Sequence, residues 1–234
     1  MPYAKFAQRW LWSVCMAVLV GCASQPSAPP PSDTLVDDSG AAPEQRPALL
    51  PPGPITQNPY LSAPSFEVSA SARAAFARAG QQMSRQRWGD ARHTLQALVA
   101  EAPDLSGPWL NLGIVWLQLD KPGQARAAFE RALAANPLNV DAYNQLAALE
   151  RRAGEFAKAE TLYNQALSVW PHSADSHCNQ GILYDLYLGR WPEALAHYEA
   201  CRYLREQETG APDHTVNGWI IDLKRRIAQR QAKP

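Results

Sequence analysis

Two histidines and two cysteines lie where they could combine in one chemical site. His197 and Cys201 are four residues apart, a spacing that puts both on one face of a helix, and His177 and Cys178 precede them in the chain. Such residues can bind a metal ion. The sequence nevertheless lacks the paired spacings of known zinc modules, so no metal or other cofactor is expected.

Sequence motifs of catalysis are also absent. The sequence contains no nucleophile elbow, phosphate-binding glycine loop or zinc-protease signature. The remaining histidines, His93, His172 and His214, have no identifiable catalytic partner. We therefore expect a protein that is not an enzyme. The alternative is a groove that hydrolyses a substrate with carboxylates such as Glu150 and Asp185.

Prolines recur at a fixed period along the middle of the chain. Pro103, Pro137 and Pro171 are 34 residues apart, and such a period indicates stacked structural repeats. Ahead of Pro137, large and small residues follow a set pattern: Trp109, Leu112, Gly113, Trp116, Ala125, Phe129 and Ala132. With Pro137 included, this segment resembles the tetratricopeptide repeat (TPR) at all eight signature positions. The resemblance implies pairs of antiparallel helices, in which Gly113 and Ala125 permit close approach and Pro137 ends the second helix.

The expected fold is all-α. We predict a TPR-like right-handed solenoid of helical hairpins over residues 66–210 and a capping helix within 211–234. The repeats are expected at about 72–105, 106–139, 140–173 and 174–207. The earliest repeat is degenerate, and the last needs one inserted residue within 188–190 for its second helix to align.

A partner-binding groove is implied by the resemblance, because the first helix of each TPR hairpin lines the concave face. The positions that would point inward are Leu110, Asn111, Ile114, Asn144, Gln145, Arg151, Asn179, Ile182 and Asp185. Asn111, Gln145 and Asn179 are equivalent in successive repeats, and a row of amides could bind the backbone of an extended peptide. The alternative is that these amides satisfy local polar groups. Leu110 stands where the family's carboxylate clamp needs its first lysine, so that kind of tail recognition is not expected.

Cys178 and Cys201 fall at neighbouring ends of the two helices of the last repeat. In an oxidising compartment they would form a disulfide that staples this hairpin. The alternative is two small buried thiols that pack as apolar residues.

The N-terminal residues resemble a bacterial lipoprotein signal. Lys5 and Arg9 precede an apolar run, Trp10 to Val20, which ends in Leu-Val-Gly and then Cys22. The resemblance implies a signal peptide at 1–21, cleavage before Cys22 and lipid on that cysteine. Residues 22–65 are rich in Pro, Ser and Ala, and we expect a lipid-anchored, disordered linker. Because alanine, not aspartate, follows the cysteine, we expect the outer membrane, facing the periplasm.

The charge of the chain is balanced, with 22 basic and 22 acidic residues, so nucleic acid is not an expected partner. The expected function is a lipid-anchored, monomeric scaffold of the cell envelope that docks a partner protein or extended peptide. Its layout resembles the pilotin lipoproteins of type IV pili, which assist secretin assembly. It also resembles adaptor lipoproteins for peptidoglycan enzymes, and an accessory of a TonB-type energy-coupling system is a third possibility.

Overall fold

Helical hairpins follow one another along the chain in this computed structural model, which describes residues 46–62 and 68–232. A short helix, α1 (Pro59–Ser62), comes before them. The hairpins are α2 (Ala70–Ser84) with α3 (Trp88–Glu101), α4 (Ser106–Gln118) with α5 (Pro122–Ala135), α6 (Val140–Arg152) with α7 (Phe156–Val169), and α8 (Ala174–Ile182) with α9 (Trp191–Thr209). Helix α10 (His214–Gln231) closes the stack. The predicted all-α, TPR-like solenoid with a C-terminal capping helix is confirmed.

The periodic prolines end the second helices by acting on the residue before them. Ala102, Asn136 and Trp170 each precede a proline, and each leaves the helical region with φ of −134°, −152° and −140°. Proline disfavours helical backbone at the preceding position, so the helix stops there. The next helix begins a few residues later, and Asn139 and Ser173 cap α6 and α8 with their side-chain oxygens.

The turn inside each hairpin uses a residue of positive φ at a repeating position. Gln86, Asp120, Gly154 and Gly189 have φ of 57°, 55°, 81° and 63°. The first three are 34 residues apart and the last is 35 further on, as the predicted insertion requires. The extra residue is absorbed by a π-helical turn, Leu183–Leu188, which lies just ahead of the predicted site.

Small residues on the first helices face large residues on the second helices. A Cβ added at Gly113 would fall on the Phe129 ring, and one at Gly181 would lie 2.6 Å from the Tyr198 ring. Phe129 is fully buried, and Tyr198 is 2% exposed. The close approach that the sequence predicted at Gly113 is therefore confirmed, and Gly181 repeats it.

Helix α10 seals the last hairpin with an apolar face. Val216, Ile220 and Leu223 are buried against Tyr198 and Cys201 of α9. Asp213 caps the helix by accepting from the backbone N–H groups of residues 215 and 216. None of the described helices is long and apolar enough to cross a bilayer. The predicted signal peptide and Cys22 lie outside the described residues.

Candidate functional site

Three of the nine predicted partner-binding residues lie in the interior. Leu110 packs in the core between hairpins, and Asn144 donates a hydrogen bond of 2.9 Å to Ser176 Oγ. Asp185 is 9% exposed and accepts from Arg226 of the capping helix at 2.9 Å. Leu110 and Asn144 join neighbouring hairpins, and Asp185 joins the last hairpin to the capping helix, so we remove all three from the partner-binding set. The reason is that an inward position of one repeat packs against the element that follows it in the stack.

The other six predicted residues are half-buried on the first helices: Asn111, Ile114, Gln145, Arg151, Asn179 and Ile182. The amides of Asn111, Gln145 and Asn179 make no side-chain hydrogen bond to the described residues, in contrast to Asn144. They are 34 residues apart, one in each of three hairpins. We call these three residues the amide row. No side chain of the described residues occupies its donors and acceptors, which can therefore bind another molecule.

Arg151 lies at the end of α6 beside an exposed aromatic side chain. Its guanidinium carbon is 5.6 Å from the centre of the Tyr187 ring. Its Nε and Nη1 atoms are shielded from solvent and have no hydrogen-bond partner in the described part of the chain. The Tyr187 ring packs 5.3 Å from the ring of Phe156 on α7. A positive charge therefore lies beside an aromatic surface at the end of α6.

A segment that the sequence assigned to the disordered linker packs on the repeats. Residues 46–62, which we call the strap, fall within the predicted linker of 22–65, and the prediction is wrong for them. Leu50 is 5% exposed and contacts Ala200 and Leu204 of α9. The Thr56 N–H donates to His172 Nδ1 at 3.0 Å, and Trp170 Nε1 donates to the Thr56 carbonyl at 3.0 Å. The strap is thus fixed to the last two hairpins by apolar burial and by hydrogen bonds.

Further along its sequence the strap reaches the second hairpin. It therefore runs along the stack from the last hairpin towards the first, opposite to the order of the repeats in the chain. The Tyr60 hydroxyl lies 3.3 Å from the place of a Cβ on Gly107, at the start of α4. Burial raises the pKa of Tyr60, while a hydrogen bond with Ser106 lowers it. Burial, together with the charge of Asp175, raises the pKa of Asp141 to about 6. The Tyr60 contact thus falls at the start of a first helix, whereas the amide row lies about five residues beyond the start of each first helix.

The signal for the strap was present in the sequence but weak. Proline, serine and alanine dominate residues 22–65, and such a composition favours disorder. Leu49, Leu50, Ile55, Tyr60 and Leu61 interrupt that composition close to the first repeat. A cluster of large apolar residues beside a solenoid is a reason to expect packing.

The predicted cysteine pair is joined in the structure. Cys178 and Cys201 form a disulfide across a sequence separation of 23. Next to it, His197 Nδ1 lies 3.1 Å from His177 Nδ1, and His177 Nε2 lies 3.0 Å from the Pro171 carbonyl. The Pro171 carbonyl can only accept, so His177 donates from Nε2; when both rings are neutral, His177 Nδ1 then accepts from His197 Nδ1.

Burial is the main cause of the low basicity of both rings. It lowers the pKa of His177 to about 4 and that of His197 to about 3. Within the described residues, no group of three His, Cys, Asp or Glu side chains is placed to hold a metal ion. The pair is therefore a neutral, hydrogen-bonded element of the core.

The two carboxylates considered for catalysis are engaged in ion pairs. Glu150 is 3% exposed and pairs with Arg126 of α5. Asp185 pairs with Arg226 and lies 3.4 Å from the Tyr198 hydroxyl. Each cation compensates the cost of burying a charge. The pair of Glu150 and Arg126 thus links two neighbouring hairpins.

The comparison with known sequences finds the same repeat. Residues 138–207 match the family model for the tetratricopeptide repeat, which covers the last two hairpins. The tetratricopeptide repeat protein 8 of Homo sapiens is 36% identical over 126 residues, which are 54% of this chain and 21% of that protein. The chain thus spans about a fifth of the length of this curated relative.

Solved structures share the fold at lower sequence identity. Pseudomonas aeruginosa pilF is 16% identical, with a TM-score of 0.60 over 68% of this chain and 69% of that chain. YrrB is described as a TPR protein with an unusual peptide-binding site. It is 19% identical, with a TM-score of 0.50 over 62% of this chain and 71% of its own. The match to the repeat model and these likenesses support a TPR protein.

Proposed function

We propose that this chain is a non-catalytic scaffold that docks an extended segment of another cell-envelope protein along the amide row. The observation that carries the proposal is the set of three half-buried amides, Asn111, Gln145 and Asn179, without partners in the described residues. Neighbouring packed helices lie about 8–10 Å apart, and an extended chain advances about 3.3 Å per residue. One amide of the row would therefore meet the partner backbone about every three residues.

Recognition of the partner backbone in this way selects a segment for its extended conformation and not for a fixed sequence. An amide can donate to a carbonyl and accept from an N–H at once. YrrB, a TPR protein of similar fold, has a peptide-binding site. For this chain, the same use of the fold is part of the proposal.

The test of docking replaces all three amides at once. The variant Asn111→Ala, Gln145→Ala, Asn179→Ala should lose the protein that co-purifies with the full chain, while its circular dichroism stays that of the wild type. The matched control replaces three exposed amides of the second helices, Gln96, Gln124 and Gln165. Equal loss from both triple variants, or loss from the control alone, would contradict docking at the amide row.

The proposal includes a lipid anchor at the bacterial outer membrane, facing the periplasm. It is supported by the basic start, the apolar run and the Leu-Val-Gly-Cys pattern ending at Cys22. Two or more acyl chains give stable anchoring where one chain gives marginal binding. The full chain should incorporate radiolabelled palmitate in a bacterial host, and Cys22→Ser should abolish the label. Cys15→Ser is the control, and equal labelling of both variants would contradict lipidation at Cys22.

The order of segments, a lipid anchor followed by a TPR domain, suggests which envelope partner to test first. A lipid-anchored TPR protein resembles the pilotins, so a secretin is the first partner to test, and peptidoglycan enzymes and TonB-type components follow. Co-purification of a secretin with the wild-type chain, and its loss in the amide-row variant, is the result expected for a pilotin-like role. Retention of a secretin by the variant would place its binding elsewhere.

A further inference from the structure

We infer that the surface around Arg151 binds an acidic side chain of the docked segment, followed by an apolar side chain. We call this surface the Arg151 site, and its residues are Arg151, Phe156, Leu186 and Tyr187. The inference rests on the proposed function, since the docked segment is the one that the amide row would hold. Gln145 of the row and Arg151 lie on the same helix, six residues apart, which is about 9 Å along its axis.

Arg151 differs from Arg205 and Arg226, two other half-buried arginines of the described chain. Arg205 and Arg226 each pair with carboxylates at 2.9–3.0 Å. The Nε and Nη1 atoms of Arg151 are shielded from solvent and have no hydrogen-bond partner within residues 46–62 and 68–232. Donors left in this state cost free energy, and a carboxylate is the acceptor that fits a guanidinium best.

A second polar group without a partner lies in the core close to Arg151. Tyr163 is fully buried, and its hydroxyl has no hydrogen-bond partner among the described residues. Its side chain packs with Ala147, which lies about one helical turn before Arg151 on α6. Burial raises the pKa of Tyr163, and the positive charges of Arg151 and Arg152 act in the opposite direction. An acidic side chain that arrives here would find two cations, whereas a basic side chain would be repelled.

The rim of the site is apolar and exposed. Leu186 is 66% exposed and Tyr187 is 44% exposed, and both belong to the π-helical turn. The ring of Phe156 packs against Tyr187 and extends the apolar surface onto α7. The inserted residue of this repeat forms that π-helical turn, and such turns are frequent at functional sites. An apolar side chain next to the acidic one would cover this rim.

The test uses decapeptide libraries with one fixed dipeptide in the centre. The fixed pairs are Glu-Leu, Gln-Leu and Lys-Leu, and all peptides carry an amidated C-terminus so that the only fixed acid is the side chain. We expect the full chain to retain the Glu-Leu library at least tenfold more than the Gln-Leu library. Arg151→Gln should remove this preference and Arg151→Lys should restore part of it. The matched control, Arg131→Gln, changes an exposed arginine that lies over the Trp109 ring in the second hairpin, and it should change the preference less than twofold.

The possible outcomes separate the inference from the proposed function. If peptides bind and the triple amide variant releases them, but Glu-Leu has no advantage, docking stands and the Arg151 inference is overturned. If no library binds, the proposed peptide docking and the inference both fail. An additional Gln-Leu library with a free C-terminal acid identifies the source of the carboxylate. Retention of that library alone would mean that the site takes a chain terminus, which also overturns the inference.

Discussion

The neutral pair His177 and His197 should make the protein less stable in mild acid. An unfolded histidine has a pKa near 6.5 and is almost fully protonated at pH 5. In the folded chain the pKa values are about 4 and about 3, so both rings remain mostly neutral at pH 5. Because the unfolded state then binds more protons, stability falls as the pH drops below about 6.5. Each ring lowers the free energy of unfolding by about 2 kcal/mol at pH 5 relative to pH 8, or about 4 kcal/mol for both.

Asp141 acts in the opposite direction. Its pKa is raised to about 6 in the folded chain, above the value of an unfolded aspartate. The folded state therefore binds more protons between about pH 6 and pH 4, and this raises stability by about 1 kcal/mol at pH 5. His172, whose pKa is lowered by burial and by the charge of Arg46, has the same sign as the pair. The expected net loss from pH 8 to pH 5 is about 3 kcal/mol.

Urea unfolding followed by tryptophan fluorescence at pH 8 and pH 5 measures this difference. The double variant His177→Gln, His197→Gln lacks both titrating rings. Its change in the free energy of unfolding from pH 8 to pH 5 should therefore be about 4 kcal/mol more favourable than that of the wild type, whatever its stability at pH 8. Asp141→Asn should instead make the loss in acid steeper by about 1 kcal/mol. A double variant whose stability falls with pH as steeply as the wild type would refute the assignment of two neutral buried rings.

Three further predictions concern packing and backbone. Gly113→Ala should lower the free energy of unfolding by about 1–3 kcal/mol because its methyl group would meet the Phe129 ring, whereas Gly80→Ala meets no atom within 4 Å and should not destabilise. Urea unfolding compares the two, and equal stability would contradict the close contact. Leu50→Ala should reduce hydrogen-exchange protection across the strap, whereas Leu49→Ala, at a side chain that is 44% exposed, should not. Unchanged protection in Leu50→Ala would argue against a packed strap. Gln86→Gly should raise stability by about 0.5–1 kcal/mol because φ is 57° there, and a loss of stability by urea unfolding would contradict this.

The hairpins could be predicted because their determinants are local and periodic. Pro103, Pro137 and Pro171 act on the residue before them, and this needs no tertiary information. The approach of helices at Gly113 also follows from residue size at fixed positions. A repeat fold depends mainly on contacts between neighbouring repeats, so a pattern of about 34 residues determines most of it.

The candidate site could be predicted only in part. The repeat pattern predicts which residues face the groove, but it does not predict which of them are buried by a neighbouring hairpin. Asn111 and Asn144 were both assigned inward positions, yet Asn144 donates to Ser176 of the next hairpin. Whether an inward residue contacts a neighbour depends on side-chain sizes in the adjacent repeat, which an average repeat pattern does not contain. That Nε and Nη1 of Arg151 have no hydrogen-bond partner among the described residues is likewise a tertiary fact, since no local feature of the sequence excludes an acidic neighbour in space.

The strap illustrates the limit of composition as a guide. Disorder is favoured when a segment has too little apolar surface to offset its conformational entropy. Leu50 and Thr56 have partners far along the sequence, on α9 and at His172, and these contacts alter that balance. Composition describes the segment by itself and does not include the surface that the repeats provide.

The central claim is that a partner segment runs along the amide row. Photoreactive amino acids at Asn111, Gln145 and Asn179, placed singly in the full chain in bacterial membranes, test it most directly. The prediction is that all three capture one protein, through one continuous segment, with attachment points in order and about three residues apart. Probes at Gln96, Gln124 and Gln165 on the second helices serve as controls. Capture of that protein from the control positions and not from the amide row would contradict the account.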